Sequence, residues 1–348
     1  MSNSTPTCRE ILGSGTPLLD VRAPVEFAQG AFPTAVNLPL LQDHERERVG
    51  TTYKRDGKEA AVALGHSLVS GDAKLGRVRS WLEFVERSEE ALICCARGGL
   101  RSQIAAQWMD EAGRPTARVE GGFKALRNEA LAVLAQAVSE RDWLILGGKT
   151  GSGKTTLLRE FGDSLDFEAA ANHRGSSFGG FATPQPSQIS FENQLAVELL
   201  GHRNRRLLVE DESRTLGSLA IPEVLVRHMK RSSIVVVQVP VAERVTNIAR
   251  DYVTSPLAAG ESATDLCGRY QAALLRLRKR LGDERWRHYQ DLVGQGFASD
   301  DNAAHHAWIE GLLTTYYDPM YEYQLGKKQD RVVFSGTADA VRRYLRGD

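Results

Sequence analysis

The chain has 348 residues, with 44 Lys plus Arg against 44 Asp plus Glu and a formal net charge of zero. A single core stops growing near roughly 250–300 residues, so two domains are expected, and the neutral balance excludes a uniformly basic nucleic-acid binder. Any polyanionic partner must be met by a local patch. No apolar run approaches the ~20 residues of a membrane span, and the stretch MSNSTPTCRE lacks the basic-then-apolar pattern of a targeting segment. The four cysteines, Cys8, Cys94, Cys95 and Cys267, show no C-x-x-C spacing. Reduced thiols in a cytoplasmic protein are expected.

In chain order, PLLDV, AVNLPL and ALICC read as short strands, and VRSWLEFVER and RSQIAAQWMDEAG as amphipathic helices. That alternation predicts an α/β fold with a mostly parallel sheet. In LICCARGGLRSQIAAQW a cysteine ends an apolar strand, two glycines follow in a loop, and Arg101 and Ser102 open a helix. The pattern predicts an anion cradle. Amides of the loop Arg97, Gly98 and Gly99 point inward, the helix start adds positive potential, and Arg101 offers a fork of donors. The same surroundings favour the thiolate at Cys95, which is the expected nucleophile. Cys94, continuing the strand, is expected to be a buried apolar residue, Asp20 and Arg22 a structural pair, and Cys8 and Cys267 structural.

Together with LLDVRAPVEFAQGAFPTAVNLPL upstream, the cysteine loop resembles the signature of the rhodanese superfamily. Five residues separate Cys95 from Arg101. The resemblance makes that loop wider than in simple sulfur-transferring members, which implies a phosphate-bearing donor.

The helix FKALRNEALAVLAQAVSE closes this first module, placed at 1–136, and the second module is placed at 137–348. Strand DWLILGG leads into GKTGSGKT, which fits the G-x-x-x-x-G-K-[ST] pattern of a P-loop between a strand and a helix. Backbone amides of Gly148, Thr150, Gly151, Ser152 and Gly153 are expected to wrap a diphosphate. Lys154 adds a point charge, Thr155 a ligand for Mg²⁺, and Thr156 extends the turn. RRLLVED and SSIVVVQV supply further strands, the first ending in Glu210, Asp211 and Glu212, of which Asp211 is the expected partner of Mg²⁺. A P-loop binds a phosphate chain without specifying ATP hydrolysis, so the pyrophosphate of an activated alkyl donor fits equally.

From about 256 to 325 the sequence becomes basic, aromatic and helical. At 100° per residue Arg276, Lys279, Arg280 and Arg287 share a face opposite Leu274, Leu277 and Leu281, with Gly282 a candidate interruption. This stripe is an expected contact for a polyanion, with Trp286, Tyr289, Trp308, Tyr316 and Tyr317 available to stack on unpaired bases if that partner is a nucleic acid. VVFSG closes the chain as a last strand.

The module order, with NHRGSSFGG, QPSQISFEN, LLVEDESR and YYDPMYEYQL, resembles the bacterial tRNA 2-selenouridine synthase family over nearly the whole chain. The resemblance implies action on the wobble 2-thiouridine of tRNAs for Lys, Glu and Gln, first S-geranylated by geranyl diphosphate and then supplied with selenium by selenophosphate. These are co-substrates, and no tightly bound cofactor is expected. A selenophosphate supplier is a possible partner. On this resemblance Cys95 is the essential rhodanese thiol, the P-loop holds the diphosphate, and His173, Arg174, Gly175, Ser176 and Ser177 line the same site. The competing reading is a P-loop kinase or NTPase with a regulatory rhodanese module. A phosphatase-like or arsenate-reducing enzyme and a non-catalytic scaffold are further alternatives.

Overall fold

A computed structural model describes residues 6–88, 90–299 and 301–347. Of the stretch MSNSTPTCRE read for a targeting segment, residues 1–5 lie outside the described residues. The strands are β1 (Leu18–Asp20), β2 (Ala35–Asn37), β3 (Leu92–Cys94), β4 (Asp142–Gly148), β5 (Ser164–Leu165), β6 (Arg206–Glu210), β7 (Thr215–Leu216), β8 (Leu219–Ala220), β9 (Ser233–Val237) and β10 (Val332–Gly336). No helix among the described residues is long and apolar enough to cross a membrane.

Two compact units form. The first comprises residues 1–137 and 186–201, the second 138–185 and 202–348. In the first, a parallel sheet of order β2-β1-β3 carries the cysteine loop at the end of β3. Both faces of β3 are buried, which is why the segment is apolar at every position rather than alternating. Trp81 stacks on Trp108 at 6.1 Å in the core beside it. Asp20 and Arg22 form a buried pair at 2.7 Å, and Arg22 also donates to the Gly30 carbonyl at 2.8 Å, so they brace the turn as expected.

This division differs from the expected one in its placement of 186–201. The helix Gln188–Gly201 belongs to the first unit, where Asn193 donates to the Ala31 carbonyl at 3.0 Å and accepts from Arg127 at 2.9 Å. Ile189 fills the space above Gly30, where an added Cβ would lie 2.3 Å from it. The QPSQISFEN segment is thus a clasp on the cysteine-bearing unit. Residues 43–68, to which the sequence pattern assigned no element, form a helix interrupted at Gly57.

The second unit has a five-stranded parallel sheet of order β10-β9-β4-β6-β5, and β4 at its centre delivers the P-loop. The helices Ser255–Ala258, Ala263–Leu281, Asp283–Ser299, Asn302–Leu312 and Asp318–Gly326 make the expected basic and aromatic region mostly helical among the described residues. Leu274, Leu277 and Leu281 are buried, and Tyr289 and Trp308 are buried with them. Core burial removes Tyr289 and Trp308 from the set of base-stacking candidates. The basic stripe is likewise not continuous: its helix Ala263–Leu281 ends at Gly282, and Arg287 stands on a separate helix, Asp283–Ser299. Arg276 donates to the Ser177 carbonyl at 2.7 Å and Arg280 to the Tyr316 hydroxyl at 2.6 Å.

Candidate active sites in the two units

Cys95 is 2% exposed, and its thiol donates to the Ser102 hydroxyl at 3.2 Å. Ser102 in turn donates to the Gly99 carbonyl at 2.9 Å, which fixes the loop against the first turn of the helix Leu100–Glu111. Among the described residues no protein acceptor takes the amide hydrogens of Arg97 through Arg101. Five amides without a protein acceptor, in the loop that follows the thiol, are donors that an oxyanion could take, in keeping with the expected cradle. Cys94 is buried, and burial pushes its thiol well above the ordinary range, so it stays a protonated apolar residue.

Arg101 does not point its charge into the cradle as a free fork. It pairs with both carboxylate oxygens of Glu26, which also lies 3.8 Å from Arg46. The guanidinium is committed because Glu26 begins the short helix Pro24–Ala28 directly opposite. Arg101 is therefore a positioning residue, and the exposed Arg97 is the loop's uncommitted cation. Sequence reasoning missed Glu26 as well as Gly122. The latter sits beneath the loop with φ 61°, and an added Cβ would lie 2.2 Å from the Cys95 carbonyl oxygen and 2.4 Å from the Gly98 nitrogen. We expect Gly122→Ala to leave the fold largely intact while cutting the Cys95-dependent reaction at least tenfold, checked by single-turnover assay beside circular dichroism.

In the second unit the P-loop runs from the end of β4 into the helix Lys154–Arg159. Lys154 lies over the loop, donating to the carbonyls of Gly148 at 3.0 Å and Lys149 at 3.5 Å. Gly151 has φ 80°, and a Cβ there would lie 2.8 Å from both the Arg244 carbonyl oxygen and Ile248. Thr156 faces solvent, whereas Ser152 is buried with no hydrogen-bond partner for its hydroxyl. The loop's outer side is held by residues the sequence did not flag. Arg244 donates to the Thr150 carbonyl at 3.2 Å and makes a buried two-point pair with Asp318 at 2.8 and 2.6 Å, and Asn247 donates to the Gly151 carbonyl at 3.0 Å. Lys149 pairs with Glu322 at 2.6 Å. The YYDPMYEYQL segment is thus the brace of the P-loop. Removing one partner of a buried pair leaves an uncompensated charge. Asp318→Ala should cost about 3–5 kcal/mol, read by denaturant unfolding.

The acid expected to meet Mg²⁺ is not Asp211. Side chains alternate along a strand end, so Asp211 faces the other way and pairs with Lys328 at 2.6 Å. Glu210 and Glu212 face the P-loop instead and meet Glu168, one ligand oxygen of each lying within 4.8 Å of the others. Thr155 donates to Glu168 at 3.4 Å, and the Gly175 amide donates to Glu168 at 2.5 Å, which brings the NHRGSS loop onto the same cluster. One Glu210 carboxylate oxygen is buried without a partner. Three convergent carboxyls with an orphaned oxygen beside a threonine hydroxyl fit a divalent cation, which would neutralise diphosphate charge here.

Burial and the neighbouring Glu168 push the Glu210 carboxyl up to about 7, and burial with Glu168 and Glu210 pushes Glu212 up to about 8, against an ordinary 4.5. Lys154 opposes both shifts, and Asp166 and Asp211 add to them. These carboxyls hold protons more tightly folded than unfolded, so without a cation stability falls as pH rises from about 4.5 to 8. Mg²⁺ should raise the melting temperature at pH 8.5 and leave it nearly unchanged at pH 5.5, measured by calorimetry.

Of the remaining loop residues, Arg174 stacks on Phe181 and Tyr252 at 4.4 and 4.9 Å, and Ser176 meets the Tyr252 hydroxyl at 3.0 Å. His173 is half-buried, and burial and Arg276 lower its pKa, so it stays neutral. Thr150 and Ser176 border an apolar slot walled by Tyr252, Trp308, Leu312 and Tyr317. Tyr252 and Tyr317 stand in the π-helical turns Arg250–Thr254 and Leu313–Tyr317. Such turns occur mostly as single-turn bulges within α-helices, frequently at functional sites.

A thiol in an amide-lined cradle on one unit and a braced P-loop on the other define a rhodanese-like module joined to a P-loop module. Residues 4–129 match the family model described as a rhodanese-like domain, and residues 141–348 match that described as the tRNA 2-selenouridine synthase AAA domain. The chain is 44% identical to the tRNA 2-selenouridine synthase of Shewanella woodyi over 97% of its length and 96% of the relative's. It is 46% identical to those of Pseudomonas fluorescens, over 99% and 98%, and Bordetella bronchiseptica, over 100% and 98%. The chain belongs to the tRNA 2-selenouridine synthase family.

Proposed function

We propose that the protein is a cytoplasmic enzyme that converts the wobble 2-thiouridine of tRNAs for Lys, Glu and Gln to 2-selenouridine in two steps, one at each cradle. In the first, the thiouridine sulfur attacks the terminal methylene of geranyl diphosphate. The C–O bond breaks, pyrophosphate leaves, and the base loses its N3 proton. Lys154, Thr155 and the P-loop amides stabilise the departing diphosphate, and Glu168, Glu210 and Glu212 would hold a divalent cation that neutralises part of its charge. In the second, the Cys95 thiolate adds at C2 and the C–S bond to the geranylthio group breaks. Selenium from selenophosphate then displaces the Cys95 sulfur from C2 and frees the thiolate. Geranylthiol leaves with a proton, and water takes the phosphoryl group as phosphate. S-alkylation turns a poor sulfide leaving group into a neutral thiol. The cradle of Cys95 and Arg97 through Arg101 receives selenophosphate. A selenophosphate-producing enzyme is then the natural upstream partner.

The observation that carries this reading is the apolar slot opening at Thr150 and Ser176. A P-loop bordered by aliphatic and aromatic walls suits a prenyl diphosphate better than a nucleotide, whose base and ribose need polar partners. The slot measures about 30 Å³, so a prenyl chain enters only if its walls part. The exposed Lys279 and Arg287, with Arg276 and Arg280, supply the local positive charge a neutral protein needs to hold tRNA. Mass analysis of tRNA nucleosides tests the reading. Geranyl diphosphate alone should yield S-geranyl-2-thiouridine, and selenophosphate added afterwards should yield 2-selenouridine. Brisk ATP cleavage by a Cys95→Ser chain with no nucleoside product would favour the kinase alternative.

A further inference from the structure

The cysteine-bearing unit holds an apolar cleft of about 360 Å³, inside the range of roughly 300–1,000 Å³ typical of small-molecule sites. Leu41, Val62, Ile104 and Trp108 line it, and Leu100 and Arg101, the last residues of the cysteine loop, form one rim. The opposite wall is the helix Asp43–Leu68, broken at Gly57, which carries Tyr53 and Val62 into the lining. At the mouth Leu100 is 41% exposed and Tyr53 58% exposed. The cleft thus shares two consecutive residues, Leu100 and the Glu26-paired Arg101, with the loop of the anion cradle. A ligand spanning both would carry a polar reacting end and a hydrocarbon tail.

Resting on the two-step reading above, we propose that this cleft receives the ten-carbon chain of the S-geranylated nucleoside during selenium exchange. The slot beside the P-loop seats the same chain while it is being attached. The C–S bond that breaks must lie at the cradle, so the chain extending from that sulfur needs a dry place within a few ångströms of it. Leu100 at the loop tip leads into the cleft, and the geranylthiol departs along it. Each methylene buried there strengthens binding roughly fourfold relative to water, so the cleft selects the alkylated nucleoside over the unmodified one. The helix 43–68 acts as the specificity wall of the exchange step.

The test supplies tRNA carrying S-geranyl- or S-methyl-2-thiouridine, with selenophosphate, and reads the ratio of single-turnover rates on the two. Val62→Trp fills the cleft, and Tyr53→Glu places a charge at its mouth from an exposed helix position that leaves the core untouched. Both should lower the geranyl-to-methyl ratio at least tenfold, chiefly through loss on the geranyl substrate. Misfolding of the unit lowers both rates together, and Tyr53→Glu decides the matter where Val62→Trp folds poorly. A wild-type ratio in Tyr53→Glu overturns the cleft assignment while leaving the two-step reaction standing. Failure of the wild type to make any geranylated nucleoside from geranyl diphosphate removes the reading beneath it.

Discussion

Lys154→Ala is expected to abolish formation of the S-geranylated nucleoside, with a loss of roughly 10²–10³-fold or more in the alkylation rate. Charge builds on the diphosphate as its bond to carbon breaks, and Lys154 is the only side-chain cation of the P-loop positioned above that loop, 3.0 Å from the Gly148 carbonyl oxygen. Lys149 cannot substitute, being held outward by Glu322 and Asp318. The cradle also resists reorganisation, since Arg244 and Asn247 hold the Thr150 and Gly151 carbonyls from behind. The loss should therefore appear mainly in the chemical step. Rapid-quench analysis of nucleosides would read it, and near-normal alkylation by the variant would remove the P-loop from the reaction.

Cys95→Ser should have the opposite signature: geranylated tRNA accumulates and selenium arrives at least roughly 10³-fold more slowly, as when other nucleophiles are removed. A serine fits the same space and keeps the contact to Ser102, so the cradle survives while the sulfur chemistry does not. Cys94→Ser serves as the control. Its side chain is buried and donates to the Cys95 carbonyl at 3.6 Å, and its effect should be on stability rather than on exchange. Equal selenium transfer by wild type and Cys95→Ser, assayed on pre-alkylated tRNA, would show that the thiol has no part in the step.

Much of this was legible in the residues because local patterns dictated it. The strands LICC and DWLILGG are apolar at nearly every position, and each is followed by glycines and a cation, a combination only a phosphate-facing loop explains. What was not legible depends on contacts distant in sequence. Asp211 looked like the cation ligand by position, but strand alternation turned it toward Lys328 and left Glu210 and Glu212 with the distant Glu168. Arg101 carried the expected charge, yet Glu26, 75 positions away, claimed it. The helix 43–68 is polar and weakly patterned, and it is held by one apolar edge against a cleft that no periodicity announces. The aromatic cluster read as a base-stacking surface was largely core, because Trp308 and Tyr289 meet Tyr270 and Leu274 inside the helical bundle. The NHRGSS loop was expected to line the diphosphate site, and the Gly175 amide brings it onto the carboxyl cluster; YYDPMYEYQL, whose first two tyrosines were read as base-stacking candidates, braces the P-loop through Asp318.

The claim on which the rest depends is that alkylation and selenium exchange are served by different cradles. Its most direct test gives the Lys154→Ala protein tRNA already carrying S-geranyl-2-thiouridine, with selenophosphate and no geranyl diphosphate. The account predicts 2-selenouridine at close to the wild-type rate, because the exchange step bypasses the P-loop. If the variant leaves the alkylated tRNA unconverted while its cysteine-bearing unit remains folded, the two steps share one site and the division of labour described here is wrong.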